Sequence, residues 1–179
     1  MEINVKDEKE IKEIKEVKEV KTVKAKILTA NDVAQTINSI APIGLQEEWD
    51  NSGMMIGFEE KPVKKILTCL EITDDIVNEA IDMDADMIVT HHPFIFGGLN
   101  NICDSKPKDK LIIDIIKNEI SVYSCHTPFD KVKGGNNDII MKRLGLTSIK
   151  NLIGEDVESP SKMAERKTVA DIGRIGRFK

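Results

Sequence analysis

The chain has 179 residues, 40% apolar and 32% charged, with a formal net charge of −5, long enough for one globular domain with a real core. The acid excess argues against general nucleic-acid binding, which needs a basic surface to neutralise phosphates, and no apolar stretch approaches the ~20 residues of a membrane span. Three cysteines (Cys69, Cys103 and Cys125) form no CxxC pair and no apolar signal core opens the chain, so a disulfide framework is not expected and a cytoplasmic protein is the plain reading.

Residues 1–28 read as a charged, low-complexity leader. Its core, "KEIKEIKEVKEVKTVKAK", places Ile11, Ile14, Val17, Val20 and Val23 three apart. A step of three falls about 60° short of a helical turn, so an apolar stripe of this spacing spirals round the helix instead of lining one face. A solvated, charge-balanced segment is expected, partly helical through its Glu–Lys pairs. A partner-binding coiled coil is the alternative, against the heptad rule.

Folded sequence is expected from Thr29 onward, as one α/β domain over residues 29–179. Asn31 or Asp32 can cap a helix through "VAQTINSIAP", which Pro42 ends. "EWDNSGMMIGF" reads as a turn feeding a short strand. "KKILTCLEIT" (64–73) is expected as a buried strand, "DDIVNEAIDMDA" (74–85) as a helix and "DMIVTHHP" (86–93) as a second strand. "KDKLIIDIIKNE" (108–119) reads as a helix, "ISVYSCHTPFD" (120–130) begins as a third strand, and "NNDIIMKRLGL" (136–146) is a helix stopped by Gly145. The tail opens with a polar loop around Pro160 and closes in "IGRIGRF", a strand just beginning. Strands alternating with helices of this length predict a layered fold with a mostly parallel sheet flanked by helices.

In such a sheet, ligands bind at the carboxyl ends of the strands. His91 and His92 end one expected strand, and His126 and Asp130 follow the next. As consecutive strand residues, His91 and His92 would point to opposite faces, so each could hold a different ion of a pair with Asp130 bridging. Imidazole with carboxylate suits zinc, manganese, iron, nickel or cobalt. The plainer reading is a set of polar residues closing strands. Asp50 and Asn51 could line the pocket or form an ordinary turn. "KGGNND" could offer amides to a phosphate, or form a glycine turn with Asn137 as the helix cap. Cys125 reads as a buried strand residue.

"WDNSGMMIGF", "THHPFIFGGL", "YSCHTPFD" and "GGNNDIIMKRLGL" occur in this order. Together they resemble the family of GTP cyclohydrolase I type 2 homologues, also called Nif-three-like dinuclear metal-centre proteins, from about Thr29 to Lys179. The resemblance implies that His91, His92 and Asp130 are ligands of two divalent transition-metal ions. It implies hydrolytic opening of the imidazole ring of GTP with release of formate. His126 could then be a proton-transfer or orienting group beside the metals, or a structural residue at the strand end. It also implies a ring-forming homohexamer. The family completes its centre with a His-x-x-x-Glu pair from a longer C-terminal part, and no histidine follows His126. The fold is therefore expected to be incomplete at the C-terminus, and a non-catalytic metal-binding oligomer or a truncated fragment stands as the alternative. Glu71 occupies a position where the family commonly has aspartate.

A leader that makes no packed contacts contributes little to stability. Deletion of residues 1–26 is expected to leave the thermal midpoint unchanged, as scanning calorimetry on both forms would show; a clear fall would mean a folded coil.

Overall fold

The computed structural model describes residues 27–153 and 172–178; most of the leader and the loop around Pro160 lie outside them. Helix α1 (Ala30–Ile40) opens on Thr29. The Thr29 hydroxyl accepts a hydrogen bond from Asp32 N at 3.2 Å, and the Asp32 carboxylate accepts one from Thr29 N at 3.0 Å. This is a capping box, so the cap is neither Asn31 nor Asp32: Asp32 acts from the third helical position. A 3₁₀ turn at Ile43–Leu45 follows Pro42.

Four strands form the main sheet: β1 (Gly53–Ile56), β2 (Ile66–Cys69), β3 (Met87–Thr90) and β4 (Ser121–Ser124), in the order β1-β4-β3-β2. β2, β3 and β4 run parallel, and β1 pairs with β4 in the opposite sense. Helix α2 (Asp74–Asp82) joins β2 to β3, and α3 (Pro107–Lys117) joins β3 to β4, the mostly parallel α/β arrangement that the alternating pattern predicts. Ile88 and Val122 are register partners, and both are buried against Val77 and Ala80 of α2 and Leu111, Ile112 and Ile115 of α3. Burying these side chains supplies the main drive for the layer, about 1.5–3 kcal/mol for each large one.

The second half of the described chain is less regular. Helices α4 (Thr127–Lys131) and α5 (Asn136–Arg143) lead to a two-stranded antiparallel sheet of β5 (Thr147–Asn151) and β6 (Arg174–Arg177). β6 falls where the sequence pattern predicts a strand; β5 has no signal in "TSIKN" beyond its partner. β2 is also not the buried strand expected from its apolar run. It is an edge strand, with Ile66 41% exposed, because among the described residues no neighbour pairs with its outer side.

Three helices end alike. Asp84, Glu119 and Gly145 take positive φ of 50°, 51° and 78°, and the next amide reaches back to the helix at Ala85 N to Ala80 O, Ile120 N to Ile115 O and Leu146 N to Met141 O. Each is a Schellman ending. Only the third uses glycine. Gly135, by contrast, is required for space: a Cβ there would lie 2.0 Å from the Phe129 carbonyl oxygen, where α5 turns away from α4.

At the opposite edge from the histidines, Asp86 joins the starts of the parallel strands. Its carboxylate accepts from Lys64 N at 2.7 Å and Lys65 N at 3.0 Å, and its carbonyl accepts from Ser121 N at 3.0 Å. Burial pushes its pKa up, but the two backbone hydrogen bonds and the charges of Lys61 and Lys64 outweigh it, and the carboxyl titrates below its ordinary value. Its contribution is thus present above the unfolded-state pKa of about 3.9 and is lost as pH falls through the lower folded value. Asp86→Ala is expected to cost about 1–3 kcal/mol at pH 7. Urea unfolding at pH 7 and pH 3 should show that deficit narrowing in acid; a deficit independent of pH would mean packing, not charge, is responsible.

Candidate metal centre

β2, β3 and β4 finish at one edge of the sheet, and β1 starts there because it is antiparallel to β4. That edge therefore collects Glu71 after β2, His91 and His92 after β3, His126 and Asp130 after β4, and Asp50 just before β1. The chain has three histidines, and all three converge: one ring nitrogen from each of His91, His92 and His126 lies within 4.8 Å of the others. Ring centroids are 5.3 Å apart for His91–His92, 5.1 Å for His91–His126 and 5.8 Å for His92–His126.

The expectation that His91 and His92 point to opposite faces is overturned. β3 stops at Thr90, and the two histidines lie beyond it. His91 N donates to Cys69 O and His92 N to Leu70 O, so two successive amides face the same neighbour. A regular strand cannot do this, because its amides alternate. Thr90 secures the bend: its buried hydroxyl lies 3.0 Å from Leu70 O and 3.2 Å from His92 O.

Oxygen atoms adjoin the Nδ1 side of every ring. His91 Nδ1 is 3.1 Å from Cys125 O, His126 Nδ1 is 2.9 Å from Asp50 Oδ1, and His92 Nδ1 is 3.5 Å from Glu71 Oε2. A carbonyl or carboxylate acceptor calls for the proton on Nδ1, which leaves the Nε2 lone pair free. The tautomer follows from these partners. This is the arrangement found around metal-binding histidines, whose second nitrogen donates to an oxygen. The Glu71 contact is the longest of the three.

Asp50 is the anchor beneath His126. Its side chain has 0% exposure. It accepts from Asn51 N at 2.7 Å, Ser52 Oγ at 3.0 Å, Thr127 N at 3.2 Å and the Thr127 hydroxyl, in addition to His126. Burial alone would push its pKa up; the hydrogen bonds from Thr127, His126, Asn51 and Ser52 more than reverse this, and it stays ionised below the ordinary carboxylate range. Asp50 is therefore more than part of an ordinary turn.

Asp130 adjoins the cluster at His91, with Oδ2 3.6 Å from His91 Nε2, and lies outside the group of mutually close donors. Asn136 donates to its other oxygen at 3.1 Å. The glycine turn behind it does not offer free amides to phosphate: Gly134 N donates to Asp138 Oδ2 at 2.7 Å and Gly135 N to Val132 O at 3.0 Å. Gly135, not Asn137, is the cap position of α5; Asn137 donates to Ile172 O at 3.0 Å. A cavity of about 490 Å³ opens beside His91, walled by Ile37, Ile40, Val89, Cys125 and Phe129. Burial first, then the charges of Asp130 and Asp50, push the Cys125 thiol up to about 11. It is a neutral wall residue, without thiolate reactivity at neutral pH.

The donor set is three imidazoles and a carboxylate, with second nitrogens held by oxygen. It fits a divalent transition metal by ligand type, and the helix-and-sheet scaffold brings His126 into the group as well as the expected His91, His92 and Asp130. The sequence signal for His126 as a member was its place after the neighbouring parallel strand. For Asp50 the sequence left both a pocket residue and an ordinary turn open, since its contacts with His126 and Thr127 span 76 and 77 residues.

Comparison with known proteins agrees with this architecture. The family model for Duf34/NIF3 (NGG1p interacting factor 3) matches residues 28–179. A Clostridium perfringens protein named GTP cyclohydrolase 1 type 2 homolog is 44% identical over 115 residues, 64% of this chain and 44% of the relative. A Bacillus subtilis protein of the same name is 31% identical over 159 residues, 85% of this chain and 43% of the relative. Among solved structures, a Bacillus cereus protein related to NIF3 matches with a TM-score of 0.69 at 37% identity, covering 74% of this chain and 36% of the other. The chain spans less than half the length of these relatives. From Leu28 to its last residue, this chain belongs to the Duf34/NIF3 (NGG1p interacting factor 3) family.

Proposed function

We propose that the strand-end cluster is a divalent transition-metal centre, with His91, His92 and Asp130 as ligands and His126 beside them. The proposed activity is metal-dependent hydrolysis of the GTP type, opening the imidazole ring and releasing formate. The observation that carries this reading is the convergence of all three histidines of the chain, with oxygen at each Nδ1. The relatives' names support the nucleotide substrate.

His91, His92 and Asp130 would hold the metal: ring nitrogens of the two histidines lie within 4.8 Å of each other, and Asp130 Oδ2 lies 3.6 Å from His91 Nε2. A bound divalent ion supplies Lewis-acid activation of water and of the bond under attack.

The chain's own groups have separable tasks. His91 presents Nε2 because the Cys125 carbonyl holds its other nitrogen. Asn136 leaves one Asp130 oxygen facing His91. His126, with its Nδ1 proton held on Asp50, is left with Nε2 to accept a proton from attacking water and return it to the departing ring nitrogen. Ring opening followed by hydrolysis of the resulting formamide consumes two waters and yields formate and an amine.

Elemental analysis after dialysis is expected to find at least one transition-metal ion per chain, lost in the double change His91→Ala and His92→Ala. Metal-free wild-type protein after reconstitution attempts would sink the proposal. Formate produced from GTP tests the hydrolase part separately: bound metal without formate would leave a metal-binding protein and remove the enzyme.

Asp50→Asn is expected to lower formate release from GTP about 100-fold or more with metal content unchanged, because it removes the charge that holds the Nδ1 proton of His126. Formate assay and elemental analysis of the same variant would read both. Unchanged turnover in a folded, metal-loaded variant would remove His126 from proton transfer.

A further inference from the structure

Trp49, the single tryptophan of the chain, is 56% exposed, and Phe96 is 51% exposed. Their ring centroids are 6.3 Å apart at an interplanar angle of 47°. Trp49 also meets His126 edge-on, with centroids 5.9 Å apart at 74°. Two large aromatic faces thus stand open to solvent at the border of the histidine cluster.

They are also held in place. Asn51, two residues after Trp49, donates to the carbonyl of Ile95 at 2.6 Å, tying the loop of one ring to the loop of the other. The backbone next to Trp49 is fixed by Asp50, which donates from its amide to Glu47 O at 3.0 Å and buries its carboxylate under five donors. Exposed aromatics on a fixed backbone lose little freedom when a ring stacks on them. Each such side chain offers about 150–250 Å², and the pair falls short of the ~800 Å² per partner of a standard protein interface. The area suits one planar heterocycle.

The geometry points to Trp49 as the stacking platform for a purine base, with Phe96, tilted 47° to it, closing against the base from the side and the imidazole edge delivered to His126. This deepens the proposed function and rests on it for the identity of the ring. Stacking requires no metal, so the platform is testable in the metal-free protein. Base stacking on a protein aromatic contributes about 1–3 kcal/mol, or roughly 5- to 150-fold in affinity.

The experiment is a fluorescence titration of metal-free protein with guanosine, with ribose 5-phosphate as the control lacking a base. Guanosine is expected to quench Trp49 emission saturably and ribose 5-phosphate to leave it unchanged. Phe96→Ala should weaken the guanosine response at least about fivefold. Trp49→Ala, followed by calorimetry, should weaken binding about tenfold or more, with metal content and thermal midpoint as in the wild type. Should Trp49→Ala fail to fold, the Phe96→Ala titration decides. Unquenched emission, equal quenching by ribose 5-phosphate, or undiminished guanosine affinity in Phe96→Ala would overturn the platform. Guanosine binding without metal uptake would remove the proposed hydrolase centre alone. Metal uptake without guanosine binding would remove the platform alone.

Discussion

Asp50 carries its charge on a buried side chain, and the candidate centre is arranged around it. A buried carboxylate without partners would cost several kcal/mol; here the loop before β1 and the first turn of α4 both turn their donors toward it. The same contacts fix where His126 sits, since its backbone amide donates to Ser52 Oγ at 3.2 Å while its ring faces Asp50. Satisfying one buried charge thus positions the imidazole, the start of α4 and, one turn later, Asp130.

The other constraint is the abrupt end of β3. If the strand continued, the pleat would send His91 and His92 to opposite sides of the sheet. Instead Thr90 closes the ladder, and two consecutive amides bond to Cys69 and Leu70 at the end of β2 and just beyond it. The resulting bend costs regular strand geometry and places both rings over the same strand ends. An apolar cavity lies on one flank, against His91, and the Trp49–Phe96 pair on another, against His126. The candidate centre thus has two differently built approaches: a cavity walled mainly by aliphatic side chains, thiols and Phe129, and the exposed Trp49–Phe96 pair.

Much of the scaffold is legible locally. The alternation of "KKILTCLEIT", "DDIVNEAIDMDA" and "DMIVTHHP" carries strand, helix and strand in its hydrophobic periods, and the structure places those elements within a few residues. Gly145 announces a helix end because glycine favours positive φ. Asp84 and Glu119 do the same work without a local signal, their φ imposed by the hydrogen bonds that close the helix. β5 is similarly silent, because it exists by pairing with β6 across more than twenty residues. The exposure of β2 was hidden for the opposite reason: its composition is that of a buried strand, and composition does not say which strand ends at the edge.

By itself the sequence determined the order of the strands and helices apart from α4 and β5, the placing of His91, His92, His126 and Asp130 after strands, and a family pattern spread over four ordered motifs. These depend on periodicity and on short spacings, which a chain carries along its length. Only the tertiary structure decided that His91 and His92 turn the same way, that His126 joins them, and that Asp50 holds His126. Those facts depend on contacts between residues up to 77 positions apart, and on a bend that the alternation rule for strands would have denied. Proximity in space, unlike periodicity, is not written in any one segment of the chain.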